Sequence, residues 1–104
     1  MIIHSNEKNF KEQVLDSKVP VLVDFWATWC GPCRMQGSIL ERLDQEITAE
    51  QALIVKIDVD QNPELASQFN VSSIPTLLVF KNGVVTSTQV GVRQEAEVKQ
   101  MLGL

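Results

Sequence analysis

Cys30 and Cys33 are the only two cysteines in a chain of 104 residues, and they stand three positions apart within Trp29-Cys30-Gly31-Pro32-Cys33. Two thiols at that spacing can close into a disulfide and open again. The nucleophile in such exchange is the thiolate, which a helix N-terminus stabilises through its unpaired N–H groups and partial positive charge. The flanking residues supply that setting. Val19 to Ala27 is almost continuously apolar, and Met35, Ile39, Leu40, Leu43 and Ile47 recur at helical spacing after Pro32. Proline is tolerated in a first helical turn. Cys30 is therefore expected exposed at the mouth of a helix, with Cys33 one turn in and more covered. That asymmetry makes Cys30 the attacking sulfur, which forms a mixed disulfide, and Cys33 the sulfur that resolves it.

Two other uses of the pair stay open. A structural disulfide closing so short a loop removes only about 2 kcal/mol of denatured-state entropy, and a chain of this length can build a core without it. The second is half of a metal site. Zinc wants four ligands, and His4 is the only other soft candidate, so such a site would have to bridge two chains; no metal is expected.

The length fits a single domain over residues 1–104, and 44% apolar with 21% charged residues is ordinary for a globular protein. A net charge of -4 argues against nucleic acid and against an anionic membrane surface, both of which need a cationic face. No apolar signal core follows Met1-Ile2-Ile3, and the longest apolar run is broken by Asp24 and too short to span a bilayer. A cytosolic monomer is the expectation.

The elements needed to position the cysteines can be read in order. A brief strand at Ile2-Ile3 precedes a helix from about Glu7 to Leu15, capped by Ser5 or Asn6. Val19 to Ala27 has the composition of a strand covered on both faces. The long amphipathic helix follows, then a buried strand from Leu53 to Val59. Asn62-Pro63-Glu64 starts a short helix that buries Leu65 and Phe69. Thr76 to Lys81 and Val84 to Val90 are strands joined by Asn82-Gly83, a dipeptide suited to a two-residue hairpin. A last helix runs from about Gln94 to Leu102. The order β-α-β-α-β-α-β-β-α predicts an α/β fold, a central mixed sheet with right-handed parallel crossovers, a terminal hairpin and helices on both faces.

Val23-Asp24-Phe25-Trp26-Ala27, Trp29 to Met35, Asp58 to Pro63, Ile74-Pro75-Thr76, Phe80-Lys81-Asn82-Gly83 and Val90-Gly91 together resemble the thioredoxin family over nearly the whole chain. The resemblance implies a thioredoxin-like fold and a general protein-disulfide reductase. It implies disulfide-containing proteins as substrates, and no bound cofactor beyond the reversible Cys30–Cys33 disulfide. Recycling would come from a flavoprotein reductase that consumes NADPH. Gly-Pro between the cysteines resembles the reducing members; oxidases and isomerases usually carry His there.

Asp24 interrupts the most apolar strand, where desolvation should raise its proton affinity. The resemblance places it beneath the cysteines near Lys56, to move a proton to or from Cys33; a solvent-facing Asp24 and a solvated Lys56 are the alternatives. An Ile74-Pro75 bond taken alone would be trans. The resemblance implies cis, with Ile74 turned outward to pair with an extended substrate strand, and with Trp29, Gly31, Pro32, Pro75 and Gly91 forming a shallow apolar patch. Trp29 could instead be plain core, and Gly91 a plain turn glycine. His4 reads as a surface residue. Gly37-Ser38 stands where the family carries a helix proline, and a bend there is expected to persist. Gln36 is polar where the family is generally apolar.

Overall fold

A strand alternates its side chains between two faces, and in residues 21–26 and 76–81 both alternating sets are mainly apolar. The computed structural model, which describes all of residues 1–104, contains the result: a five-stranded sheet with helices on each side. The strands are β1 (Ile2–His4), β2 (Val21–Trp26), β3 (Leu53–Asp58), β4 (Thr76–Lys81) and β5 (Val84–Val90). They lie in the order β1-β3-β2-β4-β5. β3 pairs parallel with both β1 and β2, whereas β4 pairs antiparallel with β2 and β5. The helices are α1 (Gly31–Asp44), α2 (Pro63–Gln68) and α3 (Glu95–Leu102), and a π-helical segment spans Lys11–Leu15.

Val21, Val23 and Phe25 of β2 join Val55, Ile57, Leu78 and Phe80 on one face, beneath Phe10, Val14 and Leu65. That face is covered by the π-helical segment and α2. Phe69 fills it with ring contacts to Phe10 at 5.4 Å and Phe80 at 5.3 Å. The intervening residues Leu22, Ile54, Leu77 and Val79 form the other face, with Leu40 and Leu43 of α1 and Val98 and Leu102 of α3. Asp24 and Lys56 belong by alternation to this second face, under the helix that carries the cysteines.

The expected mixed sheet and hairpin are present, and several boundaries move for local reasons. Helical structure begins only at Phe10, because Asn6 folds residues 6–9 into a turn, its side chain accepting from the N–H groups of Lys8 and Asn9. β2 begins at Val21 rather than Val19: Pro20 has no N–H to give a ladder, and only its carbonyl joins, accepting from Leu53 N–H. β3 ends at Asp58, whose side chain turns back to accept from Asp60 N–H. α1 ends at Asp44, so Ile47 lies outside the helix, although it still packs on the second core. Asn62 precedes α2 but makes no side-chain cap; it accepts from Glu7 N–H and donates to the Asp58 carbonyl, tying the turn before α2 to the N-terminal turn. α1 continues unbroken through Gly37 and Ser38, and Ser38 Oγ donates to the Arg34 carbonyl at 3.3 Å, a back-bond that often accompanies bending.

The hairpin turn has positive φ at both central residues, 53° at Asn82 and 77° at Gly83. Further along, β5 carries a bulge: Phe80 pairs with Val85 and Val79 with Ser87, so Thr86 is unmatched. A Cβ on Gly83 would be strained by the positive φ and would also lie 3.1 Å from the Leu15 carbonyl oxygen, a backbone atom. Gly83→Ala should therefore cost about 1–2 kcal/mol, seen as a lower urea midpoint at unchanged slope. Gly31→Ala, whose added carbon meets nothing closer than 4.0 Å, should stay within about 0.5 kcal/mol of the parent.

Candidate functional site

Cys30 takes the N-cap position of α1, with Gly31 and Pro32 opening the helix. An N-cap side chain normally presents an oxygen to the free N–H groups of the first turn. Here the Cys30 sulfur accepts from Cys33 N–H at 3.2 Å. The two cysteines are joined as a disulfide with their Cα atoms 5.2 Å apart. Once reduced, a Cys30 thiolate would meet the same N–H groups and the positive end of the helix dipole.

Exposure differs from the expectation. Cys30 is only 5% exposed and Cys33 1%. The sulfur of Cys30 is turned inward to its partner, and the pair packs with Ala27 against Trp26, Val59 and Ile74. The Cys30 sulfur lies 3.9 Å from the Ile74 carbonyl oxygen. In the disulfide this is a contact, since the sulfur has no proton to donate.

Asp24 is wholly buried, and its carboxylate oxygens have no hydrogen-bond partner. Removal from water dominates its titration. Burial raises its pKa from the ordinary 3.8 to about 7, with the Lys56 ammonium opposing the rise. Lys56 sits directly across the β2–β3 ladder from Asp24, with its nitrogen 3.8 Å from the carboxylate. The Lys56 side chain is itself mostly covered, so neither the solvent-facing Asp24 nor the solvated Lys56 is what the fold contains. Its ammonium lies over the Trp26 ring, 4.7 Å from the centroid, and 3.1 Å from where a Cβ on Gly37 would be. The charge pair thus lies between the sheet and α1, one turn beyond Cys33. His4, exposed as expected, continues the row opposite Lys56 on β1 and helps line a polar cavity of about 540 Å³ with Lys56, Trp26 and Asp58.

Around the cysteines the surface is shallow. Trp29 is 68% exposed, not core, and its indole N–H donates to Asp60 at 2.8 Å. Gly31 and Pro32 are exposed. The Ile74-Pro75 peptide is cis. Ile74 is half-buried, whereas Pro75 is buried because it leads straight into the central strand β4; the proline supports the patch from beneath and does not face outward. Gly91 has φ of 92° and open space where a Cβ would stand, and its N–H donates to the Pro75 carbonyl at 2.8 Å. The structure thus sets Ile74 against the Cys30–Cys33 pair, with Pro75 next in the chain and Gly91 hydrogen-bonded to the Pro75 carbonyl, and places Asp24 and Lys56 between the sheet and α1.

Two contributors escape a reading by residue type. Asp60 fixes Trp29, and Gln36 is fully buried with its amide bonded to the backbone of Arg93. The signal for Gln36 was there: a polar residue at an apolar helix position.

No group of three or more His, Cys, Asp or Glu side chains is placed to hold a metal ion. No helix is long and apolar enough to cross a membrane. None of the three cavities is lined by Cys30 or Cys33. A disulfide at a helix mouth, on a shallow surface rather than in a pocket, exchanges with sulfurs carried by other macromolecules, which is the work of a dithiol–disulfide oxidoreductase. Comparison with known proteins agrees. The thioredoxin family profile matches residues 1–103. Thioredoxin 1 of Synechococcus elongatus is 48% identical over 85 residues, 82% of this chain and 78% of that one. The thioredoxin of Haemophilus influenzae is 44% identical over 101 residues, 97% and 94% of the two chains. That of Rickettsia bellii is 43% identical over 95 residues, covering 91% and 90%. The chain belongs to the thioredoxin family, and it reduces protein disulfides by dithiol exchange.

The buried carboxyl gives stability a definite pH dependence. The folded state holds the Asp24 proton to a higher pH than the unfolded chain does, so stability falls as pH rises from about 4 to about 7. The shift from 3.8 to about 7 corresponds to roughly 4 kcal/mol. Asp24→Asn should be more stable than the oxidised parent by about that amount at pH 8 and equal to it near pH 4, as read by urea unfolding. The same difference at both pH values would remove Asp24 as the source.

Proposed function

We propose that this chain is a general protein-disulfide reductase in which Cys30 attacks and Cys33 resolves. The observation that carries the assignment is the Cys30 sulfur in the N-cap of α1, accepting from Cys33 N–H. The Cys30 thiolate attacks one sulfur of a substrate disulfide. A Cys30–substrate bond forms, the substrate disulfide breaks, and one substrate thiolate leaves. Cys33 then loses its proton and attacks the Cys30 sulfur. The mixed disulfide breaks, the second substrate thiolate leaves, and the Cys30–Cys33 disulfide remains. The substrate gains two electrons and the dithiol loses them.

Asp24 is the group we assign to take the proton from Cys33. Its pKa of about 7 lets it accept and return a proton near neutrality, and Lys56 stabilises its charged form. Trp29, Gly31, Pro32, Ile74, Pro75 and Gly91 form the substrate surface in this reading. Ile74 carbonyl, 3.9 Å from the attacking sulfur, would accept from an extended segment flanking the target disulfide. The shallow surface supports broad scope, since it offers no shaped pocket to fill. Turnover requires a reductase to return the dithiol, and a flavoprotein drawing on NADPH fits that role. A single-domain, cytoplasmic monomer serving cellular redox balance completes the reading.

Cys30→Ser should abolish reduction of a protein disulfide such as insulin. Cys33→Ser should instead accumulate a covalent adduct with substrate, visible by non-reducing electrophoresis and released by dithiothreitol. Normal turnover by Cys33→Ser would refute the two-step scheme.

A further inference from the structure

Gln36 lies on α1 one turn beyond Cys33 and is 0% exposed. Its side-chain oxygen accepts from Arg93 N–H at 2.7 Å, and its side-chain nitrogen donates to the Arg93 carbonyl at 3.0 Å. One amide thus satisfies both backbone groups of a residue 57 positions away. Apart from contacts at its own N-terminal entrance, α1 makes no other side-chain hydrogen bond to a distant part of the chain. Its remaining tie is the ion pair of Asp44 with the terminal ammonium of Met1, at the far end of the helix.

The loop that Gln36 holds is short; the Arg93 side chain reaches only the neighbouring Val90 carbonyl and Glu97, and two sets of backbone contacts tie the loop to the rest of the site. At one end, Gly91 N–H donates to the Pro75 carbonyl. At the other, Arg93 is held by Gln36 on the helix that bears both cysteines. Only Val92 lies between. An apolar residue of equal size at position 36 would fill the same space but leave the Arg93 N–H and carbonyl without partners, and groups so stranded turn toward water. The loop would then shift relative to Cys30.

We infer that Gln36 is a positioning residue for polypeptide substrates. It fixes residues 91–93 against the cysteine helix, and so presets the surface on which an extended segment docks. It touches neither the substrate nor the reacting sulfurs. The inference rests on the reading of Ile74 and Gly91 as docking elements.

Gln36→Met keeps size and removes both hydrogen bonds. With insulin as substrate its KM should rise about fivefold, with kcat within about twofold of the parent. The rate with DTNB, a small aromatic disulfide that needs no docking strand, should likewise stay within about twofold. Gln36→Glu provides a second arm. Its protonated carboxyl can donate to the Arg93 carbonyl as glutamine does, whereas its ionised form repels that carbonyl. Its KM for insulin, relative to the parent at each pH, should therefore fall toward unity as pH is lowered. Ile74→Ala separates the inference from its foundation. If it raises KM while neither Gln36 variant does, docking stands and Gln36 does not position it. If none of the three moves KM, both readings fall. Insulin and DTNB rates dropping together in the Gln36 variants would mark a purely structural residue and overturn the inference.

Discussion

A sulfur stands where a helix cap would ordinarily place an oxygen, and the rest of the molecule follows from keeping it there. The cap requires a helix that begins at Gly31, with Pro32 in its first turn and no acidic residue there to compete for the positive end. That helix must be held from below, which the second apolar face of the sheet does through Leu40 and Leu43. It must also be approached by a chain at the level of Cys30. The loop before β4 brings the Ile74 carbonyl there, and β4 can arrive at the correct end only because it runs antiparallel to β2. The mixture of parallel and antiparallel pairing is thus the means by which a strand end and a helix start meet at one sulfur.

Beneath that arrangement the fold tolerates a costly residue. Asp24 occupies a position on β2 that alternation assigns to the α1 side, between Leu22 in the core and Trp26 against the cysteines. An apolar side chain there would be more stable. The nearest compensation is Lys56, and at 3.8 Å with no hydrogen bond to either carboxylate oxygen it compensates only partly. The incomplete pairing leaves a carboxyl that titrates near neutrality, where thiol chemistry operates. A tighter pair would have kept it charged throughout the same range.

Legibility in the sequence followed the range of the forces involved. The terminal hairpin was readable to the residue because Asn82-Gly83 and two flanking β-rich runs are local signals. The strand and helix flanking the cysteines were readable because their patterns are long. Strand and helix ends moved where one side chain or a proline decided them, as at Asn6, Pro20 and Asp58. The burial of Cys30 could not be read, because it comes from Ile74, 44 residues on, and from Trp26 and Val59. Asp24 announced itself as a charge inside an apolar run. Lys56 and Pro75 entered only through family likeness, since a lysine in a strand and a proline before one have many ordinary uses. Asp60 acts through one hydrogen bond over 31 positions and Gln36 through two over 57; the polarity of Gln36 on an apolar helix face was visible, but no periodicity encodes either partner.

The bulge at Thr86 bears on how this protein behaves among copies of itself. β5 is an edge strand, and Val-Val-Thr-Ser-Thr-Gln-Val along it contains no charge and leaves Val84, Val85 and Val90 well exposed. A flat edge of that composition invites a second chain to add a strand. The unmatched Thr86 interrupts the regular spacing of free N–H and carbonyl groups and increases the local twist. An incoming strand could then match the edge on one side of the interruption only, so that one inserted residue limits how far an uncharged edge can be extended.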